Sequence, residues 1–461
     1  MANSFLVKSI VASISFSSLV ASSAMAATYK MNAMCYLQDK QSAQVKEFNP
    51  TQQEIRDTEK DSEVRNVPTN VTAADVNTKF RVASLSKILV THWAVATLGP
   101  EYRFKTKINV TPADAASKSC YVHISGDQDI FMGKEMLTTV FNQLKPILAK
   151  QNCTTISQLS YDEKFVIPFY TTNNFIFDHR KISGFRGRDP EMFYGPLTTQ
   201  KALTYFIRNF GPISVKTIKP ARAAEYKKYA QTVPVKTYSF KSRPLYMMMR
   251  EYNAYSSNIP PNILFEKLGG ATAYSAFIKN RLGFDSSNLT VLNGSGYPVL
   301  LNKGQANEQK VYNEVTCGSI VRVIQDLDHM LKAYKGSKNF QLADVMAVGG
   351  PDEDFSTFKS LYSDSKYDNT LTAKTGSAEK AITFGGMLST ADGPLYFAAL
   401  TEPEAYENLG SPRKYIRDLV SILADRQKLK KFDYTQIGPM NPTDAAATLV
   451  EESTNLSTKL N

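Results

Sequence analysis

The apolar positions change period several times along the chain. Ile10 to Ala21 is a short apolar run behind Lys8, and Ala24-Met25-Ala26 follows it as a small-x-small cleavage signal. That layout is a secretory signal, and the run is too short and too serine-rich to span the ~30 Å of a bilayer core. It predicts cleavage after Ala26 and a periplasmic mature chain starting at Ala27. Residues 29–47 read as two strands joined by the polar turn Gln38-Asp39-Lys40, and 48–80 as a polar loop with short helical pieces. Ser84 to Leu98 reads as a helix stopped by Gly99-Pro100. Its residues Leu85, Ile88, Leu89, Trp93 and Val95 cover most of its circumference, so the helix is expected to be buried.

Between 101 and 245 the pattern shortens to alternating segments such as Lys107–Val110, Cys120–Ile124, Ile156–Ser160 and Ile213–Thr217, separated by turn residues. This predicts a β-rich unit. Helical periods return at Tyr246–Tyr255, Asn262–Leu268, Ala271–Leu282 and Ile320–Tyr334. Thr370–Lys374, Ala381–Met387 and Pro394–Leu400 then read as three consecutive strands, with a turn at Ala391-Asp392-Gly393. An amphipathic helix is expected from Pro412 to about Lys430. The expected organisation is a unit split between 27–100 and 246–430, an inserted β-rich unit at 101–245, and a tail at 431–461.

Composition narrows the class. The 461 residues are 43% hydrophobic and 21% charged, with 25 Phe and 24 Tyr, which suits a globular chain with sizeable cores. After residue 26 no apolar run approaches the ~18 residues of a membrane helix, so the mature chain is expected to hold no integral membrane segment. The formal charge is +11. It favours anionic partners, but no aromatic-basic stripe marks a nucleic-acid face, and none is expected. Cys35, Cys120, Cys153 and Cys317 allow three disulfide connectivities in an oxidising compartment, of which Cys120 with Cys153 is preferred. No CxxC spacing occurs and the four histidines are scattered, so no metal site is expected.

Three short patterns carry the chemistry. In Ser84-Leu85-Ser86-Lys87, helical spacing brings the Lys87 amine to the Ser84 hydroxyl. A serine needs a base to become a nucleophile, and a lysine serves only if burial or a neighbouring cation strips its charge. Ser-x-x-Lys recurs at Ser356, Ser363 and Ser377, but only Ser84 opens a long apolar helix. Ser256-Ser257-Asn258 offers a hydroxyl for proton relay and an amide for a substrate carbonyl. Ser286-Ser287-Asn288 and Ser337-Lys338-Asn339 match the same pattern, yet Ser256 is preferred because Pro260-Pro261 starts a helix behind it. Lys374-Thr375-Gly376-Ser377 presents a cation and two hydroxyls at a strand end, with glycine removing bulk. The order SxxK, SxN, KTG is a known signature of penicillin-recognising serine enzymes.

On these motifs the chain resembles the D-alanyl-D-alanine carboxypeptidase/endopeptidase family, the class C low-molecular-mass penicillin-binding proteins. Leu98–Thr106, Ser125-Gly-Asp127, Asn293-Gly-Ser-Gly296 and Phe384-Gly-Gly-Met387 with Asp392-Gly393 extend the similarity over about residues 30 to 425. Val82 stands where the family has proline, Asn293 where it has aspartate, and the insertion is shorter than usual. The resemblance implies an α+β transpeptidase-like fold, an antiparallel sheet flanked by helices beside a helical subdomain, with the β-rich insertion. It implies hydrolysis of peptidoglycan stem peptides and cross-links through an acyl-enzyme, with β-lactams as covalent inhibitors and no organic cofactor. Ser84 is then the nucleophile, Lys87 its base, Ser256 and Lys374 the relay, and Asn258, Thr375, Gly376 and Ser377 substrate-binding. The backbone N–H groups of Ser84 and Ser377 would form the oxyanion hole. A serine β-lactamase or a silent wall-binding protein shares the fold. The mid-chain insertion argues against the first, and the intact Ser84, Lys87, Ser256 and Lys374 against the second.

Overall fold

The computed structural model describes residues 29–40, 44–59, 71–73, 75–111, 116–168, 194–352, 356–358, 364–403, 410–436 and 448–452. The expected signal segment lies outside the described residues. The first elements are β1 (Tyr29–Gln38), β2 (Lys46–Glu47), α1 (Gln52–Glu59), β3 (Val71–Ala73), β4 (Lys79–Arg81) and α2 (Ser86–Leu98). Next come β5 (Lys105–Thr111), β6 (Ser119–Ser125), α3 (Lys134–Lys150), β7 (Thr155–Tyr161), α4 (Pro196–Phe210), β8 (Ser214–Pro220), α5 (Ala223–Ala230) and β9 (Lys236–Lys241). Three helices follow, α6 (Leu245–Ala254), α7 (Ile259–Lys267) and α8 (Gly270–Leu282), before the short strands β10 (Leu289–Thr290), β11 (Val299–Leu301), β12 (Gln309–Val311) and β13 (Glu314–Thr316). The chain continues through α9 (Cys317–Ala333), β14 (Ala347–Val348), β15 (Leu371–Ala378), β16 (Ala381–Thr390), β17 (Gly393–Pro403), α10 (Gly410–Asp425) and β18 (Val450–Glu451).

One sheet runs β14-β15-β16-β17-β1-β2, with β3 alongside β1. Two-residue turns set its hairpins: Ala378 pairs with Ala381, and Thr390 with Gly393, whose φ of +102° suits a residue without Cβ. Both faces of this sheet are covered, and strand periodicity sorts the side chains between them. Tyr396, Ala398 and Leu400 of β17, with Ala33, Cys35 and Leu37 of β1, join the cluster built with α2 and α9. The intervening Leu395, Phe397 and Ala399, with Met34, join a second cluster under α10. A disulfide from Cys35 to Cys317 pins β1 to the start of α9.

The second sheet runs β18-β9-β5-β6-β7-β8 over its own apolar cluster. The strands expected in 101–245 are present as β5 to β8, and three helices that the strand pattern did not anticipate, α3 to α5, lie among them. Strands β6, β7 and β8 are mutually parallel, which requires crossover connections, and α3 and α4 supply them. Met136, Leu137, Val140, Phe141, Leu144 and Leu148 follow the helical period and bury that face of α3. Cys120 and Cys153 form the preferred disulfide, joining β6 to the lead-in of β7.

The chain beyond α10 is held at several points. Leu429 bridges to Thr390, and the Tyr434 hydroxyl donates to Asp352 Oδ2 over 2.9 Å. Val450 and Glu451 pair with β9, while Glu452 forms an ion pair with Lys105 and a second with Lys107 at 3.1 Å.

Candidate active site

Ser84 lies in a single 3-10 turn, Ala83–Leu85, and α2 itself begins at Ser86. The serine therefore stands just ahead of the helix, half-buried, while Lys87 on the first turn is fully buried. Ala83 adopts φ +44°, a left-handed conformation that costs a side-chain-bearing residue roughly 1 kcal/mol or more and is tolerated where the surroundings enforce it. Those surroundings are specific. The Thr383 hydroxyl donates to the Val82 carbonyl over 3.0 Å. A Cβ on Gly296 would sit 1.7 Å from the Ala83 carbonyl oxygen. A Cβ on Gly376 would meet Thr383 Oγ1 at 2.1 Å and Val82 O at 3.0 Å. These two glycines let the 293–296 loop and β15 close on the Ala83–Leu85 turn from two sides.

Lys87 Nζ lies 2.7 Å from Ser84 Oγ, 2.8 Å from Asn258 Oδ1 and 3.2 Å from the Ser295 carbonyl oxygen. A neutral amine has two N–H donors and one lone pair. Asn258 and Ser295 accept the two hydrogens, which leaves the lone pair for the Ser84 hydroxyl. Charge favours the same state: burial, and then the Lys374 ammonium, hold the Lys87 pKa well below its ordinary value. Lys374 is 1% exposed; its amine donates to Ser256 Oγ over 3.0 Å and to the Thr375 carbonyl over 2.7 Å. Burial pushes its pKa down to about 7.

Ser256 follows α6 with φ +57°, another left-handed residue at a site position, and Asn258 occupies the N-cap position of α7 without a side-chain capping bond. Thr375 and Ser377 share one face of β15, at its exposed end. The Thr375 hydroxyl meets that of Thr357 at 2.5 Å, and Arg413 on α10 donates to Ser377 Oγ over 2.9 Å. The structure thus brings together Ser84, Lys87, Asn258, Ser256, Lys374 and the β15 residues.

The competing matches lie elsewhere. Ser287 and Asn288 close a local turn on Asp285, and Ser337 bonds Glu101. Of the other Ser-x-x-Lys pairs, Lys359 and Ser363 lie outside the described residues, and Lys380 sits in the β15–β16 turn.

Several contributors escaped motif reading. The Ser295 carbonyl is a backbone group with no side-chain signature, and Asn293-Gly-Ser-Gly296 is visible only through family resemblance. Asn313 donates to Ser86 Oγ over 2.8 Å and to the Asn293 carbonyl over 2.7 Å, tying that loop to α2. Thr91 bonds the Lys87 carbonyl and receives Asn253 of α6 at 3.0 Å, which fixes α2 against the helix leading to Ser256.

No family model and no curated protein matches the sequence. Solved structures do. Bd3459, a predatory peptidoglycan endopeptidase of Bdellovibrio bacteriovorus, is 28% identical with a TM-score of 0.72, covering 92% of this chain and 100% of its own. Its penicillin G-acylated form, in complex with the immunity protein Bd3460, matches at 29% identity and a TM-score of 0.67, with the same coverage. Penicillin binding protein 4 of Haemophilus influenzae is similar in fold, at 12% identity and a TM-score of 0.52, over 85% of this chain and 96% of its own. Similarity over 92% of the chain, together with the meeting of Ser84, Lys87, Ser256 and Lys374 in one cleft, makes the chain a structural relative of the class C-like penicillin-binding D,D-peptidases.

Proposed function

We propose that the protein is a serine D,D-peptidase acting outside the cytoplasm on peptidoglycan stem peptides and their cross-links, and that β-lactams acylate the same serine. The reading rests on one observation above all: a fully buried amine, its pKa held well below the ordinary value, 2.7 Å from a half-buried hydroxyl. Neutral Lys87 takes the Ser84 proton as Oγ attacks the D-alanyl carbonyl. The N–H groups of Ser84 and Ser377 receive the developing oxyanion, an interaction typically worth about 3–4 kcal/mol per donor in acyl transfer. Close approach of β15 to the nucleophile turn at Gly376 supports that pairing. The proton passes through Ser256, with Lys374 behind it, to the departing amine. Water then enters, Lys87 accepts its proton, and the ester on Ser84 is hydrolysed. Asn258 has a double role here, orienting substrate and positioning Lys87. Residues 27–100 and 246–430 form the split catalytic unit in this reading, with 101–245 as an accessory unit and no cofactor in any step. Acylation of Bd3459 by penicillin G, and the endopeptidase title of that protein, agree with it.

The test is incubation with fluorescent penicillin and location of the adduct by peptide mass. A lasting adduct on Ser84, absent from Ser84→Ala, is the expected result; no adduct, or one on another residue, refutes the assignment. Digestion of cross-linked wall fragments, scored as dimer against monomer products, then reports cross-link cleavage against terminal trimming.

A further inference from the structure

The two acceptors beside Lys87 Nζ are held in different ways. Asn258 stands at the head of α7, whereas the Ser295 carbonyl belongs to the irregular stretch 291–298 between β10 and β11. Asn293 braces that stretch from within, its Oδ1 accepting from the Ser295 and Gly296 N–H groups at 3.1 and 2.8 Å. The tie to α2 is Asn313, 1% exposed, at the head of β13. The next residue, Glu314, pairs with Arg81 of β4, the strand that runs into the Ala83–Leu85 turn, and the Asn313 carbonyl accepts from the Val82 N–H over 3.1 Å. The Asn313 side chain grips the loop. Its Oδ1 accepts from the Leu292 and Asn293 N–H groups at 2.8 and 3.3 Å, while Nδ2 donates to the Asn293 carbonyl at 2.7 Å and to Ser86 Oγ at 2.8 Å. A primary amide has two N–H donors and two acceptor sites, and all four are used here. The reverse orientation of the amide would set N–H against N–H and oxygen against oxygen, so the partners fix it.

We propose that Asn313 is a positioning residue for acylation. By locking the Ser295 carbonyl onto Lys87 Nζ, it fixes the direction of one amine hydrogen and keeps the lone pair aimed at Ser84 Oγ. This deepens the peptidase assignment and rests on it; Asn313 itself contacts neither reacting atom. Without the anchor the buried amine turns about its own Cε–Nζ bond, and the lone pair leaves the hydroxyl.

The test is the rate constant for acylation of Ser84 by penicillin G on the full chain, separated by mass-resolved kinetics from the dissociation constant of the pre-covalent complex. Asn313→Ala should lower the rate constant by about a hundredfold and leave the dissociation constant within about twofold of wild type. Ser86→Ala, which removes only the acceptor joining Asn313 to α2, should lower the rate constant by about fivefold. In a Lys87→Met background, with no lone pair to aim, Asn313→Ala should change the residual rate by less than about twofold. A merely structural asparagine would give the same loss with or without Lys87, and that result overturns the proposal. So does a wild-type rate in Ser86→Ala, which decides the matter alone if Asn313→Ala does not fold, or a loss confined to the dissociation constant. If penicillin G does not acylate wild-type Ser84 at all, the peptidase reading itself falls and takes this inference with it.

Discussion

In the proposed mechanism two buried lysines carry the proton traffic, and they lend themselves to separate tests. Lys87→Met keeps the volume and removes the proposed base, so acylation of Ser84 should fall by at least about a thousandfold while the fold persists; mass-resolved penicillin labelling checks it. For Lys374 the linkage runs through stability. Its pKa drops from an ordinary 10.5 to about 7 in the folded protein. Between those values the unfolded chain holds the proton and the folded one does not, so this group's contribution to stability rises with pH. The penalty is complete below pH 7 and relieved near 10.5, at most about 5 kcal/mol. Lys374→Met should therefore melt above wild type at pH 6, with the gap closing by pH 10; a gap that does not depend on pH would contradict this. At this scale the sequence is informative wherever chemistry resides in a side chain with a spacing rule, as at Ser84, Lys87, Ser256 and Lys374. It is silent on the Ser295 carbonyl and on Arg413, which reach the cleft through tertiary placement alone.

The elements around the cleft meet at contacts that admit no extra carbon. Gly296 combines a φ of +77° with a hypothetical Cβ 1.7 Å from Ala83 O, so relief requires the loop or the nucleophile turn to move. Gly296→Ala should cost about 2 kcal/mol or more in denaturant unfolding and slow penicillin acylation at least tenfold. If acylation stays at the wild-type rate, the loop has another way of yielding. Strand reading succeeded for β15 to β17 because alternate residues face different clusters and short turns mark the hairpins. It fell short in 101–245, where the apolar spacing of α3 was legible but was outweighed by the alternating segments around it. The two-residue strand β18 carries no period at all, and its partner β9 lies more than 200 residues upstream in the chain.

Across the whole molecule, long-range links close very large loops. Cys35 and Cys317 are 282 residues apart, so their bond restrains much of the unfolded chain. Replacing both with alanine should lower stability by about 2–5 kcal/mol, read as a shift in the urea midpoint under non-reducing conditions. An unchanged midpoint would mean that the bond adds nothing to the native state. Sequence reading left the partner of Cys35 open because only the fold brings β1 to the head of α9. The second sheet is completed in a comparable way, by residues 448–452 laid on β9. Synthesis makes that piece more than 200 residues after β9. Until it arrives, β9 presents a bare rim of backbone donors and acceptors that another nascent copy is able to occupy. Loss of residues 448–452 would recreate that bare rim in the finished protein and open β9 to pairing with a strand of another copy.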